Sequence, residues 1–225
     1  MNKATYTDIE NYMLSCMSDS AHDCEHVYRV LFNALEIAEN ESGVDYDVLI
    51  AACLLHDIGR AEQFVNPELD HAEVGGDKAH TFLTGKGFSA EFAGKVKDCI
   101  VAHRFRKNRP PESIEAKILF DADKLDVTGA MGIARTLVYR GDVDEPLYTI
   151  GDDGLPSNGE GDSPPSFFRE YHYKLEKLYD RFYTHTGRLM AAERRRAAQE
   201  FYSSLLEEAQ SAYKAGKVFL TKLLD

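Results

Sequence analysis

The chain has 225 residues, 44% of them hydrophobic, and a formal net charge of −12. That is enough apolar content for a globular core, but the charge excludes a broad electrostatic grip on nucleic-acid phosphates, which needs a basic face. Cys16, Cys24, Cys53 and Cys99 are too scattered for a zinc knuckle or a disulfide framework and read as reduced thiols.

No charged start followed by an apolar block opens the chain, and nowhere do about eighteen apolar residues run together. A cytoplasmic protein that avoids membranes is the expectation. In chain order, residues 26–41 place Val27, Val30, Leu31, Ala34, Ile37 and Ala38 at helical spacing, and Ser42-Gly43 closes that segment. Asp45 or Asp47 can cap the next one, VLIAACLLHDI, which is apolar almost all round, as suits the centre of a bundle, and Gly59 ends it.

Residues 70–87 open on an Asp cap and close on Gly-Lys-Gly; residues 89–105 open with Ser89 and Glu91 and carry a Phe92, Val96, Cys99, Ile100 stripe. After Pro110-Pro111, residues 113–141 predict two helices broken near Asp126 to Gly129. Residues 142–166, rich in Gly, Pro, Ser and Asp, predict a long loop or partly disordered insertion and a candidate lid. Two helical segments follow, FFREYHYKLEKLYDRFYTHTG and RLMAAERRRAAQEFYSSLLEEAQSAYKAGKVFLTKLLD; the basic RLMAAERRR run reads as a solvated helix face. The expected fold class is all-α, with no internal repeat and no domain boundary firmer than the loop.

Chemistry concentrates in LLHDIGRAE, residues 54–62, where an apolar run delivers His56 and Asp57 side by side. An imidazole and a carboxylate are costly to bury unless something pairs with them, and a metal ion is one such partner. His26 lies on the inner stripe of its helix with Val30 and Ile37, and Asp123 stands beside the buried Ile118, Leu119 and Ala122. Separate helices can thus aim His26, His56, Asp57 and Asp123 at one interior point, as helical bundles do when they build metal sites. Two imidazoles and two carboxylates suit a divalent ion such as Mn, Fe, Co, Ni, Zn or Mg, with positions left for water and substrate oxygen.

HxxRV at 26–30, HDIGR at 56–60 and DADKLD at 121–126, in this order, resemble the HD-domain metal-dependent phosphohydrolases. The resemblance covers roughly residues 20–140, so the chain is expected to be a single HD-type helical domain over 1–225, with a loop or lid at 142–166 and a C-terminal helical extension over 167–225. It implies that His26, His56, Asp57 and Asp123 are the metal ligands. His71, in DHAEVGG, and His103, in AHRF, resemble the additional histidines of bimetallic members. One ion is the expectation; a second, held by His71 and His103, is the alternative, as is a role for His103 in binding substrate.

The implied reaction is hydrolysis of a small phosphorylated metabolite, with a nucleotide as first choice, by a metal-activated water. Asp57 is the favoured proton acceptor and Glu62 the second choice. Arg60 is a candidate phosphate clamp or a cation on the helix C-terminus. Many relatives carry Lys at the Arg60 position, so the charge is kept and the shape changed. Arg104, with Arg106 and Lys107, is a candidate phosphate-facing rim. His22 and Asp23 read as a shell behind His26, Asp121 and Asp126 as structural, and His80, His172 and His185 as surface or packing histidines. The alternatives are a di-iron HD-fold oxygenase and a catalytically silent nucleotide-binding sensor; no GYP tripeptide supports a cyclic-dinucleotide phosphodiesterase. No nucleic-acid polymer is expected as a partner, and a homodimer is the one open protein partnership.

Overall fold

The structure is a computed structural model that describes residues 1–17, 24–104 and 109–225. Among the described residues it is all-α, with no strand and a single isolated bridge between Ile150 and Pro156. His22, Asp23, Arg106 and Lys107 lie outside the described residues. The chain falls into two compact units, Met1–Asp126 with Phe182–Gly187, and Val127–Arg181 with Arg188–Asp225.

The first unit is built around α3 (Tyr46–Leu55), whose Val48, Leu49 and Ala51 to Leu55 are all buried. A helix apolar on every side belongs at the centre of a bundle. It packs against α1 (Lys3–Cys16), α2 (Cys24–Ala38), α6 (Ala90–Ala102) and α7 (Ile114–Leu125). Side-chain caps set the starts: Asp45 accepts from the Asp47 and Val48 amides, Ser89 from Phe92, and Ser113 from Ala116. The N-terminal helix α1, capped by Asn2, carries no strong apolar stripe and buries only Ile9 and Met13, which is why the sequence hardly announces it.

After α3 the chain turns through His56–Gly59 into a six-residue helix, α4 (Arg60–Val65), and then into α5 (His71–Gly85), capped by Asp70. The helix expected to stop at Gly59 ends at Leu55, and Gly59 instead begins α4. A Cβ on Gly59 would lie 2.3 Å from the His71 carbonyl oxygen and 2.6 Å from the Gly75 amide nitrogen. Glycine there lets the turn bearing His56 and Asp57 lie directly against the start of α5.

In the second unit α8 (Gly129–Asp142) follows the break predicted after α7, with Gly129 at φ +62°. The insertion, expected as a long loop or a partly disordered segment, is a loop held by its own bonds. Asp162 accepts from Thr149 Oγ1 at 2.5 Å and Ser157 Oγ at 2.8 Å, and the amides of Phe167 and Phe168 donate to the Pro146 and Leu147 carbonyls. Its hydroxyl and carboxylate side chains, read as disorder-promoting, supply those partners.

The helix expected over 167–187 is also interrupted. It becomes α9 (Phe167–Tyr173), a 3₁₀ turn at Leu175–Lys177 and a non-helical stretch before α10 (His185–Leu224). The end of that stretch is held by a buried carboxylate: Asp121 accepts from the Tyr183 and Thr184 amides and from Thr184 Oγ1 at 2.6 Å. Satisfying a charge with no exposure outweighs the few tenths of a kcal/mol per residue that separate local helix propensities.

Gly59→Ala should destabilise the protein by about 1–3 kcal/mol, because the clash is with the backbone of α5 and cannot be relieved by a rotamer change. Urea unfolding followed by circular dichroism reads this, and an unchanged midpoint would contradict the close approach.

Candidate metal centre

Every residue of the centre lies in the first unit. His26 comes from α2, His56 and Asp57 from the turn after α3, His71 from the first position of α5, His103 from the C-terminal cap of α6, and Asp123 from the last turn of α7. These elements bring together the sequence-derived set and the two additional histidines. Asp57 is 3% exposed, His71 3%, His103 1% and His56 not at all.

The Asp57 carboxylate sits at the middle. Its Oδ2 lies 3.5 Å from His26 Nε2 and 3.6 Å from His56 Nε2, and its Oδ1 lies 3.6 Å from His71 Nε2 and 3.7 Å from His103 Nε2. His26 Nε2 is also 3.4 Å from Asp123 Oδ1 and 3.4 Å from His56 Nε2. The donor atoms form two sets, His26, His56 and Asp123 on one side and Asp57, His71 and His103 on the other, each within 4.8 Å of one another.

Each imidazole presents Nε2 because an acceptor holds its Nδ1. His56 Nδ1 donates to the Cys53 carbonyl at 2.8 Å and His103 Nδ1 to the Ile100 carbonyl at 2.5 Å. His71 Nδ1 donates to Gln63 Oε1 at 2.7 Å, and His26 Nδ1 to Asp126 Oδ2 at 2.7 Å. Arg29 in turn holds Asp126 through Nε at 2.7 Å. A second partner of this kind fixes the tautomer and orientation of metal-ligating histidines.

The consequence is a cluster of lone pairs facing a carboxylate. Asp57 Oδ1 and His71 Nε2 are buried with no hydrogen-bond partner among the described residues, a costly arrangement unless a cation lies between them. Two donors sharing an ion at about 2.1 Å stand about 3.0–3.4 Å apart, and separations of 3.4–3.7 Å match this with slight contraction. The residues present therefore fit a divalent metal.

The electrostatics agree. Burial opposes charge on His26, but the carboxylates of Asp123, Asp126 and Asp57 push its pKa up to about 10; the field that holds a proton there would hold a metal cation. Burial, reinforced by Arg60 and the neighbouring His103, lowers His71 to about 3. Burial and then His56 lower His103 to about 4, and burial lowers His56 as well. Although burial works against its charge, Asp57 is held well below the usual carboxylate range by His56, His26 and Arg60. Asp123 likewise overcomes burial through Lys124 and His26.

The remaining candidates surround this centre. Arg60 does not cap the α3 carbonyls; its Nε donates to Asp57 Oδ2 at 2.7 Å, and its side chain is 35% exposed. Arg104 donates to Asp70 Oδ1 at 2.8 Å, next to His71. Lys124 Nζ donates to Asp123 Oδ2 at 3.0 Å. Glu62 is drawn off by Lys78, whose Nζ lies 2.6 Å from its Oε1, and it belongs to neither donor set. Asp126 and Gln63, which orient His26 and His71, are the functional neighbours that sequence reading did not assign. Asp126 was visible as a flank of Asp123, whereas Gln63 left no signal.

Histidines lowered by burial are neutral in the fold but take up protons in the unfolded chain below about pH 6.5. The unfolded state then binds more protons, so chelator-treated protein should lose stability as pH falls from about 6.5 toward about 4. His26 acts oppositely: its contribution is full below about pH 6.5 and is lost as pH rises toward about 10. Urea midpoints across this range should peak near pH 6.5, and a midpoint that rises on acidification would contradict the assignment.

Residues 24–128 match the HD domain family. A protein of Bacillus subtilis strain 168, the uncharacterized YpgQ, is 32% identical over 203 residues, spanning 88% of this chain and 90% of the relative. The crystal structure of Bacillus subtilis YpgQ in complex with ADP superposes with a TM-score of 0.69 at 29% identity, covering 90% of this chain and 96% of that one. A predicted HD superfamily hydrolase from an uncultured Thermotogales bacterium gives 0.61 at 32% identity, with 92% of each chain covered. An HD-superfamily hydrolase from Bacillus thuringiensis gives 0.70 at 27% identity, covering 92% of this chain and 97% of that one. The matched span contains every residue of the centre, and the chain belongs to the HD-domain family.

Proposed function

We propose that this chain is a metal-dependent phosphohydrolase acting on a small phosphorylated metabolite, a nucleotide in the first instance, and that two divalent ions would be held at its centre, one by His26, His56 and Asp123 and one by Asp57, His71 and His103. The observation that carries this reading is the pair of imidazoles directed at each oxygen of Asp57. His71 and His103 stand as close to Asp57 as His26 and His56 do, which supports two ions beside the single ion expected from the sequence. Divalent ions bound there would supply an acidified water and charge neutralisation at a phosphoryl oxygen.

The chain's own residues do the rest. Arg60 holds Asp57 and Arg104 holds Asp70, the cap residue before His71, so two guanidinium groups stand near the centre, where they would suit oxygens of a phosphate or of a longer phosphate chain. In binding a phosphate, Arg60 would exchange part of its contact with Asp57 for the ligand. With both oxygens turned to donor sets that would hold the ions, Asp57 would be poorly placed to accept a proton. Asp123, whose side chain is 15% exposed and shared between His26 and Lys124, is the carboxylate of the set that water can reach. A nucleotide ligand is further supported by the ADP complex of the similar YpgQ.

The histidine-rich set also suits iron, which keeps a di-iron oxygenase as the second reading; iron near two per chain with oxygen consumption would favour it. The flanking arginines argue instead for an anionic substrate.

Protein stripped with chelator and reloaded with Mn, Co, Ni or Mg should release phosphate or pyrophosphate from a nucleotide panel. His56→Ala or Asp57→Ala should reduce this to background. Arg60→Ala should raise KM more than it lowers kcat if the guanidinium binds the ground-state phosphate. Turnover unchanged in both ligand variants would reject the proposal.

A further inference from the structure

The four histidines of the centre are not buttressed alike. His56 and His103 lean on main-chain carbonyls of their own helices, and His26 on a carboxylate that Arg29 also grips. His71 alone depends on a neutral side chain from another element, Gln63 of the short helix α4.

The amide's orientation follows from its second contact. Gln63 Nε2 donates to the Leu69 carbonyl at 2.8 Å, and a carbonyl can only accept. Gln63 Oε1 must therefore accept from His71 Nδ1–H, which leaves the buried, unpartnered His71 Nε2 with its lone pair turned to Asp57 Oδ1. One amide thus ties three things together: the turn before α5, the tautomer of His71 and the aim of its ligand atom. The helix that carries Gln63 also carries Arg60, which contacts the other oxygen of Asp57.

Building on the two-ion reading above, we infer that Gln63 is a positioning residue for the ion held by Asp57, His71 and His103, and that this position is the weaker of the two. A carboxylate behind a ligating imidazole raises its basicity more than a neutral amide does. The His26 side of the centre, backed by Asp126, therefore fills first, and the His71 side fills second under the control of Gln63.

The test is calorimetric titration of the chelator-treated full chain with Mn, alongside thermal unfolding without metal, for wild type, Gln63→Leu and Gln63→Glu. Wild type should take up two ions in separable steps. Gln63→Leu, which has no acceptor for His71, should weaken only the second step by about 10–100-fold. Gln63→Glu keeps an acceptor but loses the donor to Leu69, so its Tm should fall while the second step stays at wild-type strength or tightens. A merely structural Gln63 would lower Tm and metal affinity together in both variants, and that pattern overturns the inference. So does a second step of equal strength in wild type and Gln63→Leu. Uptake of one ion or none by wild type overturns both this inference and the two-ion reading on which it rests.

Discussion

A carboxylate ringed by imidazole lone pairs is the constraint on which the rest of the centre depends. Each oxygen of Asp57 faces two Nε2 atoms, yet acceptors facing acceptors repel, and none of these groups reaches water easily. Only positive charge reconciles them. Arg60 supplies some of it from one side, and His26 can do so by holding a proton. Neither makes a hydrogen bond to the buried Asp57 Oδ1 or His71 Nε2. The fold has built a place where a divalent cation costs less than its absence.

The surrounding scaffold can be understood as what keeps that unfavourable arrangement from relaxing. The absence of a side chain at Gly59 lets the His56–Asp57 turn lie against α5 and its leading His71. Asp126, gripped by Arg29, prevents His26 from rotating toward a better partner. Two main-chain carbonyls do the same for His56 and His103. Asp121, two residues before the candidate ligand Asp123, is committed to the Tyr183–Thr184 amides and so anchors α7 at the turn that presents Asp123. Pre-oriented ligands of this kind lower the reorganisation needed to bind metal.

Much of this was legible in the residues themselves. The apolar saturation of VLIAACLL announced a central helix, and the abrupt polar ending at His56-Asp57 announced a site at its end. The ordering of His26, His-Asp and Asp123 carried the family. His71 and His103 were legible only through resemblance, because a histidine opening one helix and another closing the next have no local pattern in common. Gln63 was not legible at all: a six-residue helix shows no periodicity, and its partner lies eight residues on across a turn. Glu62 looked as well placed as Arg60 in sequence, but a helical step of two residues turns it toward Lys78 instead. The non-helical Tyr183–Thr184 stretch was hidden for a related reason, since the Asp121 that holds it lies some sixty residues earlier in the chain.

The most direct test of the central claim is a crystal structure of the manganese-loaded protein with anomalous data collected at the manganese edge. The account predicts two anomalous peaks, one on each side of Asp57, each about 2.0–2.2 Å from one of its oxygens and from the facing imidazole nitrogens. A loaded crystal with no peak at Asp57, or with the four imidazoles turned away from it, would contradict the account.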